Sequence, residues 1–131
     1  MARSRTRTLT ELELKIMQVV WQHEEVTVGE LRRAFEQVGK HLALPTIRTM
    51  LGILQKKGYV TRRPFGRGHA YRALVSAERA QKSILKDIVE RAFDGSASNM
   101  VAALVKADMV SENDLEKIRR LIQQHDRGAE Q

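Results

Sequence analysis

The chain has 131 residues, 42% hydrophobic and 30% charged, which bounds it to one globular domain or two small ones and excludes a disordered polymer. It has no cysteine, which excludes a disulfide scaffold, a cysteine-based zinc site and a thiol nucleophile. Residues 1–75 hold 14 Lys and Arg against 6 Asp and Glu, a net of +8, whereas residues 76–131 hold 9 against 10, a net of −1. A basic half joined to a neutral half implies two tasks, and a cluster of Lys and Arg is matched by a polyanion such as duplex DNA.

No apolar run approaches the roughly 20 residues of a transmembrane helix. The basic segment Met1 to Thr8 is followed by no apolar stretch, so no secretory signal is expected and the protein is read as cytoplasmic, with no membrane partner.

Thr10-Glu11-Leu12-Glu13 fits a capping box, and Leu12, Ile16, Val19 and Val20 follow at helical spacing. This predicts a first helix running to about His23. Thr27-Val28-Gly29-Glu30 is a second box of the same kind, opening a helix with Val28, Leu31, Phe35 and Val38 as its buried stripe and Gly39 as its stop. A third helix is predicted from Pro45, whose fixed φ suits a first helical position, to Lys57, with Gly58 ending it. Its apolar stripe is Ile47, Met50, Leu51 and Leu54, so Arg48, Thr49, Gly52 and Lys56 point outward.

The period then changes. Tyr59 to Arg63 reads as a strand, Pro64 to Gly68 as a turn and His69 to Leu74 as the returning strand. Ser76 caps a fourth helix carrying Ile84, Leu85, Ile88, Val89 and Phe93, broken at Asp94-Gly95-Ser96. A fifth helix spans about Ala97 to Ala107, and Ser111 caps a sixth with Leu115, Ile118, Leu121 and Ile122 on one stripe. The tail from Asp126 is expected to fray.

The fold class is therefore mostly α with a small β-hairpin. A winged helix-turn-helix domain over residues 1–75, with a basic N-terminal tail, precedes a three-helix dimerisation domain over residues 76–131. Three helices in 56 residues make a poor core alone, and a second copy of the chain is the expected cover. Ile84, Ile88, Met100, Leu104, Leu115, Ile118, Leu121 and Ile122 are the candidate dimerisation residues; folding back on the basic half is the alternative.

A helix in this position enters the major groove with its N-terminal half against base edges. Arg48 can fork onto a guanine, and Thr46 or Thr49 can touch a thymine methyl or a phosphate. Gly52 permits close approach and Lys56 meets flanking phosphates. In the hairpin, Arg62, Arg63, Arg67 and His69 can grip the backbone or minor groove. Thr27 is a cap first and a phosphate contact second. No enzyme is expected: the four histidines are scattered, Glu24-Glu25 reads as a helix end, and Gly66-Arg67-Gly68 is too short for a dinucleotide loop. No cofactor and no metal are expected.

Leu9 to Glu13 with Ile16-Met17 and Val20-Trp21, Val28 to Leu31, Pro45 to Leu51, and Leu54 to Val60 together resemble the penicillinase-repressor family. Gly66-Arg67, Tyr71, Phe93 to Ser96 and Asn99 to Val101 extend the resemblance over most of residues 9–124. The family comprises repressors of β-lactamase, methicillin-resistance and copper-transport genes. The resemblance implies a homodimeric repressor on a palindromic operator, with Thr46, Arg48 and Thr49 in the groove and Arg67 on the wing. It also implies a possible inducing protease as partner. Members tied to antibiotic resistance are cut at an Asn–Phe bond in the fifth helix; the matching place here is Ala103-Leu104, so that bond is absent as such. The clustered cysteines of the copper-responsive members are absent too.

Two other readings stay open on the sequence. One is a winged-helix protein-interaction scaffold without specific DNA readout. The other is a regulator with a small-molecule pocket between the two halves.

Overall fold

The computed structural model of the protein describes residues 9–130. The basic segment Met1 to Thr8 lies outside them. Helices α1 (Glu11–Val20), α2 (Val28–Gln37) and α3 (Leu44–Lys56) are joined by β1 (Val26–Thr27), β2 (Val60–Phe65) and β3 (Gly68–Ala73), and α4 (Ala77–Ala92), α5 (Ala97–Lys106) and α6 (Glu112–Glu130) follow. The chain divides into two compact units, one to Asp87 and one from Ile88.

The first unit is a winged helix-turn-helix. Both capping boxes form: Thr10 and Glu13 cap α1 reciprocally, and Thr27 and Glu30 do the same for α2. One face of each helix is buried, with Ile16, Met17 and Val20 from α1 meeting Leu31 and Phe35 from α2 and Ile47, Leu51 and Leu54 from α3. Burying each such side chain contributes about 1.5–3 kcal/mol relative to exposing it. Trp21 caps the end of α1 and donates from its indole nitrogen to the Val75 carbonyl at 2.8 Å. That bond ties the end of the sheet segment to α1 and agrees with a structural role for the ring.

The sheet has the order β1-β3-β2, both pairs antiparallel. β1 is a strand that the hydrophobic pattern does not announce, because two residues are too short to show a period. It converts the expected hairpin into a three-stranded sheet, and it corrects the reading of Glu24-Glu25 as a helix end. Helix α1 stops at Val20 rather than His23, since the Gln22 and His23 amides bond back three residues, to Val19 and Val20, and tighten the chain into a turn. The hairpin turn is shorter than expected: Phe65 pairs with Gly68, leaving Gly66 and Arg67 as a two-residue loop. Gly66 has φ +59°, the positive value that a primed hairpin turn needs at its first central residue.

Helix α3 opens one residue earlier than expected, at Leu44 with Ala43 as N-cap, which makes Pro45 its second residue. Val38, expected in the stripe of α2, is 71% exposed. It falls at the C-cap, after which Gly39 turns with φ +80°, and its side chain leaves the buried face.

In the chain from Ile88, α5 is capped by Ser96, whose hydroxyl accepts from the Asn99 amide, and Ser111 with Asp114 forms a reciprocal pair at the start of α6. Asp94 and Gly95 take positive φ and break the chain between α4 and α5 as expected. The tail does not fray at Asp126: α6 continues to Glu130, since Gln124, Arg127 and Ala129 are good helix formers and the single Gly128 costs only about 1 kcal/mol. No residue from 81 to 129 is buried. The apolar stripes of these helices are formed but not covered.

Candidate nucleic-acid interface

Helix α3 separates its two faces cleanly. Ile47, Leu51 and Leu54 are buried, while Thr46, Arg48, Thr49, Gly52 and Lys56 are exposed. Its N-cap Ala43 offers no side-chain oxygen to the first amides. At the far end Lys57 caps the helix and reaches the buried carboxylate of Glu13 at 2.7 Å. The helix is thus anchored on its inner side, and its outer side carries no acidic group.

The wing stands beside this outer face. Between the start of α2, α3 and the wing lies a groove of about 490 Å³. Arg48 and Gly52 line it from α3, and Arg62, Arg67 and His69 line it from the wing. No carboxylate is among its lining residues. The structure therefore brings five of the nine expected DNA-binding residues to one concavity. Thr46, Thr49 and Lys56 are exposed on α3 but do not line it, and Arg63 is elsewhere.

Arg63 belongs to a different set of contacts. Its Nε and one terminal nitrogen donate to the two oxygens of Glu25, each at 2.7 Å. Its guanidinium carbon lies 5.4 Å from the centre of the Phe65 ring. The Arg63 hydrogen bond holds the Glu25 carboxyl below the usual carboxylate range.

Sequence reasoning did not find Phe65 and Tyr71 in the groove lining, nor the Glu25 partner of Arg63. Tyr71 is buried and meets the His69 ring edge-on at 6.4 Å between centroids. Phe65 is 52% exposed at the end of β2, a large apolar side chain left at the tip of a basic wing. The strand that carries Tyr71 was visible in the sequence; the pairing of residues 38 apart was not.

Among the described residues no group of three or more His, Asp or Glu is gathered to hold a metal ion.

The dimerisation candidates are placed unevenly. Ile84 is half-buried and lines a groove with Leu14, Trp21 and Ala80 in the first unit. Met100, Leu104 and Leu115 are half-buried, and Ile88, Ile118, Leu121 and Ile122 are exposed.

Residues 9–124 match the family model described as Penicillinase repressor. The methicillin resistance regulatory protein MecI of Staphylococcus aureus (strain N315) is 21% identical over 119 residues, covering 91% of this chain and 96% of MecI. The solution structure of the DNA-binding domain of the repressor BlaI matches 59% of this chain and 93% of its own, at 25% identity and a TM-score of 0.50. RosR of H. salinarum shares the fold at 14% identity and a TM-score of 0.53, over 94% of this chain and 98% of its own.

Proposed function

The chain belongs to the penicillinase-repressor family and is a DNA-binding transcriptional repressor, and on that footing we propose that two copies bind a palindromic operator, each laying α3 in a major groove. The observation that carries this reading is the groove beside α3, where Arg48, Arg62 and Arg67 meet with no carboxylate among the lining residues. Arg48 reads a guanine through its two-pronged guanidinium, and Thr46 and Thr49 meet a thymine methyl or a phosphate. Arg62, Arg67 and His69 hold the backbone or the minor groove, and Lys56 meets phosphate. The family is one of repressors, not enzymes.

The dimer has its own support. Leu85, Ile88, Val101, Val105, Leu121 and Ile122 are all exposed on helices that contain no buried residue after Ala80. Apolar stripes of that extent need cover, and a self-complementary pairing with a second copy supplies it. In this division of labour residues 1–75 bind DNA and residues 76–131 dimerise. No helix among the described residues is long and apolar enough to cross a membrane. We assign the protein to the cytoplasm, with the DNA it acts on.

The test begins with duplexes selected by the protein from a random pool. Palindromic winners are expected, with an affinity about 10³-fold or more above scrambled duplexes, as fluorescence anisotropy measures it. Affinity should fall steeply with salt. Equal affinity for scrambled DNA, or binding that ignores salt, refutes the reading.

A further inference from the structure

Arg63 is exposed on a basic wing, and Arg62 before it lines the groove; charge alone would count it among the phosphate contacts. Its geometry says otherwise. In the sheet, Arg63 of β2 stands in one cross-strand row with Ala70 of β3 and Thr27 of β1. Glu25 directly precedes β1, two residues before Thr27, and its carboxylate reaches the Arg63 guanidinium. The Arg63 side chain therefore crosses the central strand, passing the small Ala70, to join one edge of the sheet to the other.

The junction is a parallel fork: two nitrogens on two oxygens at 2.7 Å each. That is the most directional ion pair two side chains can make. The Phe65 ring, two residues along the same strand, lies 5.4 Å from the guanidinium. An exposed ion pair contributes little to folding, because solvent screens it and ordering two side chains costs entropy. What a two-pronged contact with an aromatic neighbour does supply is a fixed orientation.

From these contacts we propose that Glu25 and Arg63 form a clamp that positions the wing, so that Arg62 and Arg67 face the groove while Arg63 itself stays off the DNA. Arg62, the preceding residue of β2, lines the groove, whereas Arg63, held on Glu25, does not. Arg67 sits on the two-residue loop just past Phe65. The clamp also neutralises one wing cation, leaving Arg62 and Arg67 as the wing arginines that line the groove. Glu25 and Arg63 are positioning residues. The inference rests on the DNA-binding reading above.

The experiment compares Arg63→Gln, Glu25→Gln and the double variant with the wild-type protein. The probe is the best duplex that wild type selects from a random pool, with its scrambled counterpart. Each single variant is expected to lower preference for the selected duplex by about tenfold, as a loosened rather than a lost contact surface would. The double variant should be no worse than either single one, because both remove the same clamp. In Arg63→Gln the slope of log affinity against log salt should match that of wild type. A slope shallower by about 1 would make Arg63 a phosphate contact and overturn the proposal. Additive losses, or wild-type preference in both single variants, overturn it equally. Failure of the DNA-binding reading looks different: wild type would then select no sequence at all, and the proposal falls with it.

Discussion

Lys57 donates from Nζ to Oε1 of Glu13 at 2.7 Å, and the same oxygen accepts the backbone amide of Thr10 at 3.0 Å. One carboxylate thus closes the N-terminal cap of α1 and receives the residue that ends α3. The Glu13 side chain is 4% exposed and that of Lys57 16%. Burial by itself raises the Glu13 pKa, but the Lys57 hydrogen bond, the Thr10 amide and the Lys57 charge outweigh it and hold the group below its ordinary value of 4.5. The outward face of α3 is presented at a fixed angle partly because its inner end is tied here.

Removing that carboxylate takes a short, charge-assisted hydrogen bond from Lys57 and opens the α1 cap. Glu13→Ala is expected to destabilise the fold by about 3 kcal/mol, and Glu13→Gln, which can still cap, by about 2 kcal/mol. Urea unfolding monitored by circular dichroism measures both. Because the group titrates lower in the folded chain than in the unfolded one, its stabilisation is fully present above its ordinary value of 4.5 and disappears as pH falls through the folded value. The stability gap between wild type and Glu13→Gln should therefore be widest near neutral pH and narrow progressively below about pH 4.5. A gap that stays constant down to pH 3 would mean that the carboxylate charge contributes nothing.

Gly52 sits in the interior of α3 with an ordinary negative φ, and a Cβ added there would meet nothing within 4 Å. Nothing in the fold calls for glycine at this position. A mid-helix glycine costs about 0.5–1 kcal/mol relative to alanine, so Gly52→Ala should raise stability by that amount. If a DNA strand approaches the helix here, the same methyl should weaken operator binding. Opposite signs in thermal unfolding and in anisotropy are the expected pair of results. A variant that is more stable and binds as wild type does would remove Gly52 from the interface.

Much of this could be read from residues close together in sequence. The Thr10–Glu13 and Thr27–Glu30 boxes are three-residue relationships, and the stripe Ile47, Leu51, Leu54 is a helical period, so α1 to α3 and the outward face of α3 were legible. The partnerships that shape the site are not local. Glu13 meets Lys57 across 44 residues, Glu25 meets Arg63 across 38, and Trp21 meets Val75 across 54. Charge pattern puts Arg63 with the other wing cations, and only the register of the sheet shows it turned toward Glu25. Strand β1 escaped because two residues carry no periodicity, and its presence is what gives Arg63 something to reach.

Arg48 and Lys56 share the exposed face of α3 but should fail differently. Arg48 lines the groove, where a two-pronged contact to guanine discriminates by about 1–3 kcal/mol. Arg48→Ala is expected to lose that much for the selected duplex and little for scrambled DNA. Lys56 is exposed in the last turn of α3 and outside the groove. Lys56→Gln should weaken all sequences alike and reduce the salt slope by about 1. Exchange of these two signatures would place the base-reading end of α3 at its C-terminus.

Leu121 and Ile122 are 63% and 56% exposed on α6, and Ile118 shares their stripe. Leu121→Asp puts a charge on that stripe, which a paired surface cannot bury without a partner for it. Sedimentation equilibrium is expected to give the mass of one chain for the variant and of two for wild type. The first unit should keep its unfolding transition, because among the described residues every buried hydrophobic side chain lies at or before Ala80. Operator affinity should nevertheless fall by about 10²–10⁴-fold, since two half-sites no longer gain from being engaged together. That combination separates an interface residue from a core residue: core damage would lower the transition and the affinity together, whereas loss of pairing lowers the affinity alone. A variant that still sediments as a dimer would show that α6 does not form the contact, and would move it to the exposed residues of α4 and α5.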